Sequence, residues 1–186
     1  VARVLTFLKA VLIAFFIGAN YRADIYLVAF SATMIVTKVI ADGITVTLVP
    51  TLQEIDKRDG LRGRNEFTNN IVNTLILLSI FLVILGLILA PLIIKAMGPG
   101  LEGLDFKRTI KLFKLGLPIM TFHFIRAIGG GYLQSIHKFK SGAKSGVINP
   151  IIYIVYLLTL SNRFGIEGLM IAGVFAAMGQ AYILYK

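Results

Sequence analysis

The sequence predicts an all-α fold, a polytopic membrane bundle of six transmembrane helices. Three observations predict it. Hydrophobic residues fill 57% of the 186 positions and the mean hydropathy is +0.84, above the roughly 45–50% apolar content of a soluble domain. Only 15% of residues are charged, which leaves uncharged runs close to the roughly twenty residues that a helix needs to cross a bilayer. Those runs are continuous and lack the period-two alternation of barrel strands. Together these features exclude a soluble globular domain, a disordered tail and a collagen-like fibre.

The first span runs from Val4 to Ala19 and is apolar except for Lys9. Asn20 to Asp24 is a short connection, so the first and second spans are expected to form a tight hairpin. The second span, Ile25 to Leu52, carries Lys38 and Asp42. A polar loop of mixed sign, Gln53 to Glu66, leads to the third span, Ile71 to Ile94, which has no charge and is too long and apolar for a buried core helix. Gly98 to Lys114 opens with Gly and Pro and turns basic, as an amphipathic interfacial stretch would before the fourth span. That span, Leu115 to Ser135, carries His123 and Arg126. The fifth and sixth, Ser145 to Asn162 and Gly168 to Tyr185, are uncharged, and the connections Ile136 to Lys144 and Arg163 to Glu167 are short. No loop has room for a folded soluble domain, so residues 1–186 read as a single membrane domain.

The formal net charge is +10, from 19 Lys and Arg against 9 Asp and Glu. Cysteine is absent, which removes disulfides, thiolate metal sites and cysteine nucleophiles. Tryptophan is absent too, leaving Tyr and Phe for the interfacial belts. The first residue is Val1, as in a processed, trimmed or partial chain, and the opening segment lacks the basic leader of a signal peptide. Loop charges do not orient the chain. Lys57, Arg58, Arg62, Arg64, Lys138, Lys140 and Lys144 on one side balance Arg22, Arg163, Lys95, Lys107, Arg108, Lys111 and Lys114 on the other. Assigning Lys111 and Lys114 to an interfacial segment breaks the tie and favours cytoplasmic termini.

Charges within the spans carry more information, because a charge at membrane depth is costly and usually faces a bundle interior or a wet cavity. Lys38 and Asp42 are one turn apart and share a helix face. They fit either a neutral structural pair or a substrate contact. His123 and Arg126 are spaced i, i+3; His123 reads as a hydrogen-bonded interior residue, while Arg126 lies within reach of the interface. Arg3 and Asp24 sit near helix ends, where an Arg commonly snorkels. Lys9 has no acidic residue within a turn and is the hardest to assign a structural role. The excess is cationic, and a cavity lined in this way attracts phosphate, diphosphate or carboxylate groups.

Pro118, Asn149-Pro150 and Gly129-Gly130-Gly131 interrupt spans four and five. Prolines are frequent in membrane helices, whereas the triple glycine is expected to loosen span four, as broken helices do in transporters. Catalysis finds no support. The two histidines, His123 and His137, belong to no metal or triad spacing, and GPGLEG at 98–103 lacks the Lys-Ser/Thr of a phosphate loop. The basic loops lack the interleaved aromatics of a nucleic-acid module and are better suited to anionic lipid headgroups. No metal or organic cofactor is expected.

The chain also resembles a known family. Arg3-Val4-Leu5, Lys9, Phe16-Ile17-Gly18-Ala19, Ala23-Asp24 and Leu27-Val28-Ala29-Phe30 are similar to the opening of the lipid II flippases of the MurJ/MviN type, within the multidrug, oligosaccharidyl-lipid and polysaccharide exporter superfamily. The similarity continues at Asp42-Gly43, Val49-Pro50-Thr51-Leu52, Leu117-Pro118, Tyr132-Leu133-Gln134, Phe139 and Asn149-Pro150, so it spans roughly Arg3 to Tyr153.

The resemblance implies one lobe, the amino-terminal one, of a two-lobe exporter whose lobes flank a central cavity. It implies a multi-pass protein of the bacterial cytoplasmic membrane with cytoplasmic termini. Its implied activity is to flip an undecaprenyl-pyrophosphate-linked peptidoglycan precursor by alternating access, coupled to an ion or the membrane potential. The implied partners are that substrate, membrane lipids and a second lobe, with no nucleic acid. Arg3, Lys9 and Lys38 then correspond to cavity cations for the diphosphate, and Asp24 to an acidic position at the hairpin's outer end. Asp42 and Arg126 complete the candidate substrate-binding set. Two departures keep another lipid-linked oligosaccharide open as substrate. Lys9-Ala10 stands where the family commonly has Arg-Asp, and Thr37 where it has a further Arg; Lys lacks the bidentate phosphate contact of Arg. A cation-coupled multidrug exporter would instead need an acidic cavity. A non-transporting scaffold would tolerate neutralising every intramembrane charge.

Overall fold

The computed structural model describes residues 2–18 and 21–185, without the side chains of residues 139–141 and 143. Ala19 and Asn20, expected to end the first span and open its connection, lie outside the described residues, as does the side chain of Lys140. The described residues hold six helical elements and no strand: α1 (Ala2–Ile17), α2 (Tyr21–Met97), α3 (Gly103–Gly116), α4 (Pro118–Ser135), α5 (Phe139–Thr159) and α6 (Ser161–Tyr185).

The expected spans two and three form a single 77-residue element, α2. Its first arm ends and its second begins at Gly60, whose φ of 65° and ψ of −164° are non-helical and left-handed. Glycine has no Cβ to oppose that geometry, so the chain reverses within one residue. The expected polar loop, Gln53 to Glu66, is therefore helical on both sides of Gly60. Leu48 and Leu52 of the first arm pack on Phe67, Ile71, Val72 and Leu75 of the second. At the far end, a Cβ on Gly98, just past the second arm, would lie 3.3 Å from Val28. The two arms thus run antiparallel over their whole length and make two passes.

The basic stretch after Gly98 is α3, amphipathic as expected. Thr109, Leu112, Phe113 and Gly116 are buried, whereas Lys107, Arg108, Lys111 and Lys114 are exposed. It continues almost directly into α4. Leu117 keeps helical dihedrals and its N–H donates to the Phe113 carbonyl at 3.1 Å. Pro118, which has no N–H, opens α4 at a position where none is needed. Span four was expected from Leu115, and the boundary lies three residues later. α5 begins at Phe139 and runs through Pro150, so two-thirds of the expected fourth loop, Ile136 to Lys144, is helix. α6 begins at Ser161 and turns at Gly165, φ 53°, which makes the expected last loop a kinked helical start.

By length and apolarity, 21–97, 103–135 and 161–185 qualify as membrane-crossing stretches, with Lys144–Thr159 as a shorter apolar helix. Because α2 reverses, these supply five passes among the described residues. α1, with 16 residues, is the shorter sixth rod.

α1 does not pair with α2, although the hairpin was expected to be tight. It lies along α5, while the first arm of α2 lies along α4. The reason is in the stripe of α1 that faces inward. Leu12, Ile13, Phe16 and Ile17 pack on the core built by Tyr153, Leu157, Leu169, Met170 and Ala176 of α5 and α6, together with Ile25 and Ala29 of α2. The triple glycine does not loosen α4, which stays helical from Pro118 to Ser135. Gly129 lets Leu184 and Tyr185 of α6 approach, and Gly131 does the same for Leu48 of α2, where a Cβ would stand 3.0 Å from its side chain. Of the three, only Gly130 faces open space.

Candidate functional site

Lys9 occupies the inward stripe of α1, since 9, 12, 13 and 16 recur at helical spacing on one face. Its ammonium donates to Asn149 Oδ1 at 3.3 Å and sits 4.4 Å from the centroid of the Tyr153 ring. Both partners are neutral, and no carboxylate lies within 4 Å among the described residues. Asn149 and Tyr153 are one turn apart on α5, and Ser145 lies one turn earlier on the same stripe. Ser145 is buried and clasped to α6: its hydroxyl donates to the Gln180 carbonyl at 3.2 Å, and the Gln180 amide donates to the Ser145 carbonyl at 3.3 Å. α5 therefore carries a polar seam, Ser145–Asn149–Tyr153, through an otherwise apolar wall.

The seam leads to Arg126. On α4, Arg126, Gly130 and Gln134 recur every four residues and form one stripe with cavities on both sides. One cavity, of about 340 Å³, is lined by Asp42, Thr45 and Val46 of α2 as well as Arg126, Ala127, Gly130 and Gln134. The other, of about 310 Å³, lies among α4, α5 and α6 and is lined by Arg126, Gly130, Leu133, Gln134, Lys138, Gly142, Ser145 and Leu184. Asp42 faces Arg126 across the first cavity without an ion pair within 4 Å, and the Arg126 Nε is buried with no hydrogen-bond partner.

The remaining expected residues are not gathered here. Lys38 and Asp42 share a face of α2, but both are exposed and form no ion pair with each other within 4 Å. Of the two, only Asp42 reaches the Arg126 cavity. Arg3 lies six residues before Lys9, about 120° round a helix of 3.6 residues per turn, and it is exposed. Asp24 is exposed in the first turn of α2, where a carboxylate stabilises the helix dipole. Thr37, at a position where the resembled family commonly has Arg, is buried, and its hydroxyl donates to the Thr33 carbonyl at 2.6 Å.

Sequence reasoning missed Asn149, Tyr153 and Gln134 as site residues. In the sequence, Asn149 marks a helix break and a point of family resemblance but no site. The i, i+4, i+8 spacing of Ser145, Asn149 and Tyr153 was the available signal. A second polar cluster also escaped notice. The buried Arg64, just past the Gly60 turn, pairs with Asp56 at 3.1 Å, donates to the Tyr132 hydroxyl at 3.4 Å and stacks over its ring at 5.1 Å. The Tyr132 hydroxyl in turn donates to Asn65 at 2.9 Å, tying the turn of α2 to the end of α4.

The chain and its fold have known relatives. The model of the family described as lipid II flippase MurJ matches residues 13–186. The lipid II flippase MurJ of Thermosipho africanus is 28% identical over 166 residues, covering 89% of this chain and 34% of that protein. The probable lipid II flippase MurJ of Buchnera aphidicola (subsp. Baizongia pistaciae) is 23% identical across all of this chain and 37% of its own length. A solved structure of lipid II flippase MurJ in an inward closed conformation superposes with a TM-score of 0.84 at 25% identity, over 99% of this chain and 39% of that one. The chain thus spans little more than a third of the length of these relatives. With a family model matched over nearly all of it, the chain belongs to the lipid II flippase MurJ family.

Proposed function

We propose that this chain is the amino-terminal lobe of a flippase. That flippase moves an undecaprenyl-diphosphate-linked peptidoglycan precursor, such as lipid II, across the bacterial cytoplasmic membrane by alternating access. The observation that carries the reading is Lys9. A cation on the inward face of a membrane helix, held among the described residues by an amide oxygen and an aromatic face, keeps its charge uncompensated. At low dielectric such a charge attracts an anion strongly. A diphosphate brought beside α1 would take the place of Asn149 as acceptor while the polyprenyl tail stays in lipid.

In this reading Lys38 and Arg3 add positive potential at the exposed edges of α1 and α2. Asp42 offsets Arg126 until an anion arrives, and Asp24 caps the outer end of the hairpin. A second lobe closes the cavity, both termini of this lobe face the cytoplasm, and the rocking of lobes is driven by a coupling ion or the membrane potential. The protein acts as a transporter without catalysis or an organic cofactor.

The test is a flipping assay on the complete polypeptide that carries this chain, reconstituted in liposomes. Lys9→Ala is expected to lower the rate on the order of tenfold or more, the scale of a lost hydrogen bond to a charged group. Lys38→Ala is expected to lower it less, because Lys38 is more exposed. Unchanged transport in both variants would overturn the assignment of roles.

A further inference from the structure

The crevice among α4, α5 and α6 does not have Lys9 or Asn149 in its lining, and its chemistry is uniform in sign. Among the described residues, two cations, Arg126 and Lys138, line it together with the Gln134 amide, and no carboxylate does. Gly130 and Gly142, which also line it, have nothing within 4 Å of where a Cβ would stand, so bare backbone faces the space. The Arg126 Nε is buried without a partner, in a fold where buried donors are ordinarily satisfied. Asp42 reaches Arg126 only from the opposite cavity and forms no ion pair with it within 4 Å. Arg126 therefore stands between a distant resident carboxylate and a positively charged crevice.

We propose that this crevice is a second oxyanion site, where Arg126 and Lys138 bind a carboxylate or phosphate over the bare backbone of Gly130 and Gly142. Guanidinium and ammonium groups together suit such a ligand: the first supplies a planar fork and the second a point charge. Asp42 is a competitor for Arg126, so removing its charge strengthens the site. The Ser145–Asn149 seam joins the crevice to Lys9. A headgroup whose diphosphate sits at Lys9 could therefore place a second anion here. That choice of source rests on the flippase reading, whereas the site itself does not.

The experiment uses the complete polypeptide in detergent micelles, in a Lys9→Gln background so that only the crevice is read, with inorganic phosphate as the probe and the thermal midpoint as the signal. Phosphate is expected to raise the midpoint. Arg126→Gln and Lys138→Gln should each weaken apparent phosphate affinity on the order of tenfold, and Asp42→Asn should strengthen it. Gly130→Leu, at a helical position with open space, should block binding while leaving the phosphate-free midpoint unchanged or raised by the gain in helix propensity. The affinity is overturned as a property of this crevice if Lys138→Gln and Gly130→Leu both retain the wild-type phosphate response.

Two competition arms distinguish the source. Displacement of phosphate by phosphatidylglycerol in phosphatidylcholine nanodiscs points to bilayer headgroups. Displacement only by a polyprenyl-diphosphate saccharide bearing free carboxylates points to the transported lipid. Unchanged transport in Lys9→Ala and Lys38→Ala with an intact phosphate response would overturn the flippase assignments alone. Lost transport in Lys9→Ala with no phosphate response at the crevice would overturn this site alone.

Discussion

Arg64 and Asp56 bridge the Gly60 turn, and their unequal burial makes the two halves of the pair unequal in cost. The Arg64 side chain is 7% exposed and that of Asp56 is 39% exposed. Replacing Arg64 by Met forfeits an ion pair whose acidic partner can rehydrate, worth up to about 1 kcal/mol. It also forfeits the stacking over Tyr132, roughly 0.5–1 kcal/mol. Against this, it removes a buried Nε that has no partner, a group that costs about 1 kcal/mol or more to leave unsatisfied. The net loss for Arg64→Met is therefore about 1 kcal/mol. Asp56→Asn instead strands a buried guanidinium. Breaking a buried pair in that way costs about 3–5 kcal/mol, here reduced to roughly 2–3 kcal/mol because the Tyr132 contact persists and the introduced amide still accepts a hydrogen bond.

Equilibrium unfolding of the complete protein in mixed micelles measures both variants and their double mutant. Asp56→Asn should be the more destabilising single change, and Arg64→Met added to it should restore stability. Equal costs, or a double mutant at the sum of the two, would refute this account of the bridge.

Two further outcomes follow from the glycines. Gly168→Ala drives a methyl against the Tyr156 side chain, whose hydroxyl is pinned to the Gly165 carbonyl at 2.6 Å. It should cost about 1–3 kcal/mol of overpacking, part of which a second change, Tyr156→Phe, recovers in thermal unfolding. The three glycines of α4 should respond unequally. Gly130→Ala meets open space and gains up to about 1 kcal/mol of helix propensity. Gly131→Ala meets Leu48 at 3.0 Å and should gain less or lose stability. An equal gain at both positions in the same assay would contradict the packing described.

The family was legible in the sequence, and so was the oddity of Lys9. Lys9 stood out because a lone cation on an apolar stripe has no cheap explanation in a membrane. Its acceptor was not legible, because Asn149 is 140 residues away and nothing local to either helix pairs them. The fourth span showed the converse. Gly129-Gly130-Gly131 read as a weakness because propensity is a local property. Close approach of α6 and α2 turns two of the three into packing contacts.

By itself the sequence determined which segments leave water. The free energy of placing apolar or charged side chains in a bilayer depends on composition over a window of about twenty residues, as in the uncharged run Ile71 to Ile94. It could not say where those segments turn or what they lean on. Gln53 to Glu66 looked like a loop because it is polar, but a helix is ended by backbone geometry, and here that change comes at Gly60 alone. That α1 rests on α5 and that Arg126 lies between Asp42 and a positively charged crevice were decided only in three dimensions. Each depends on the rotation of one helix against another, which side-chain packing sets and no single stretch of sequence contains.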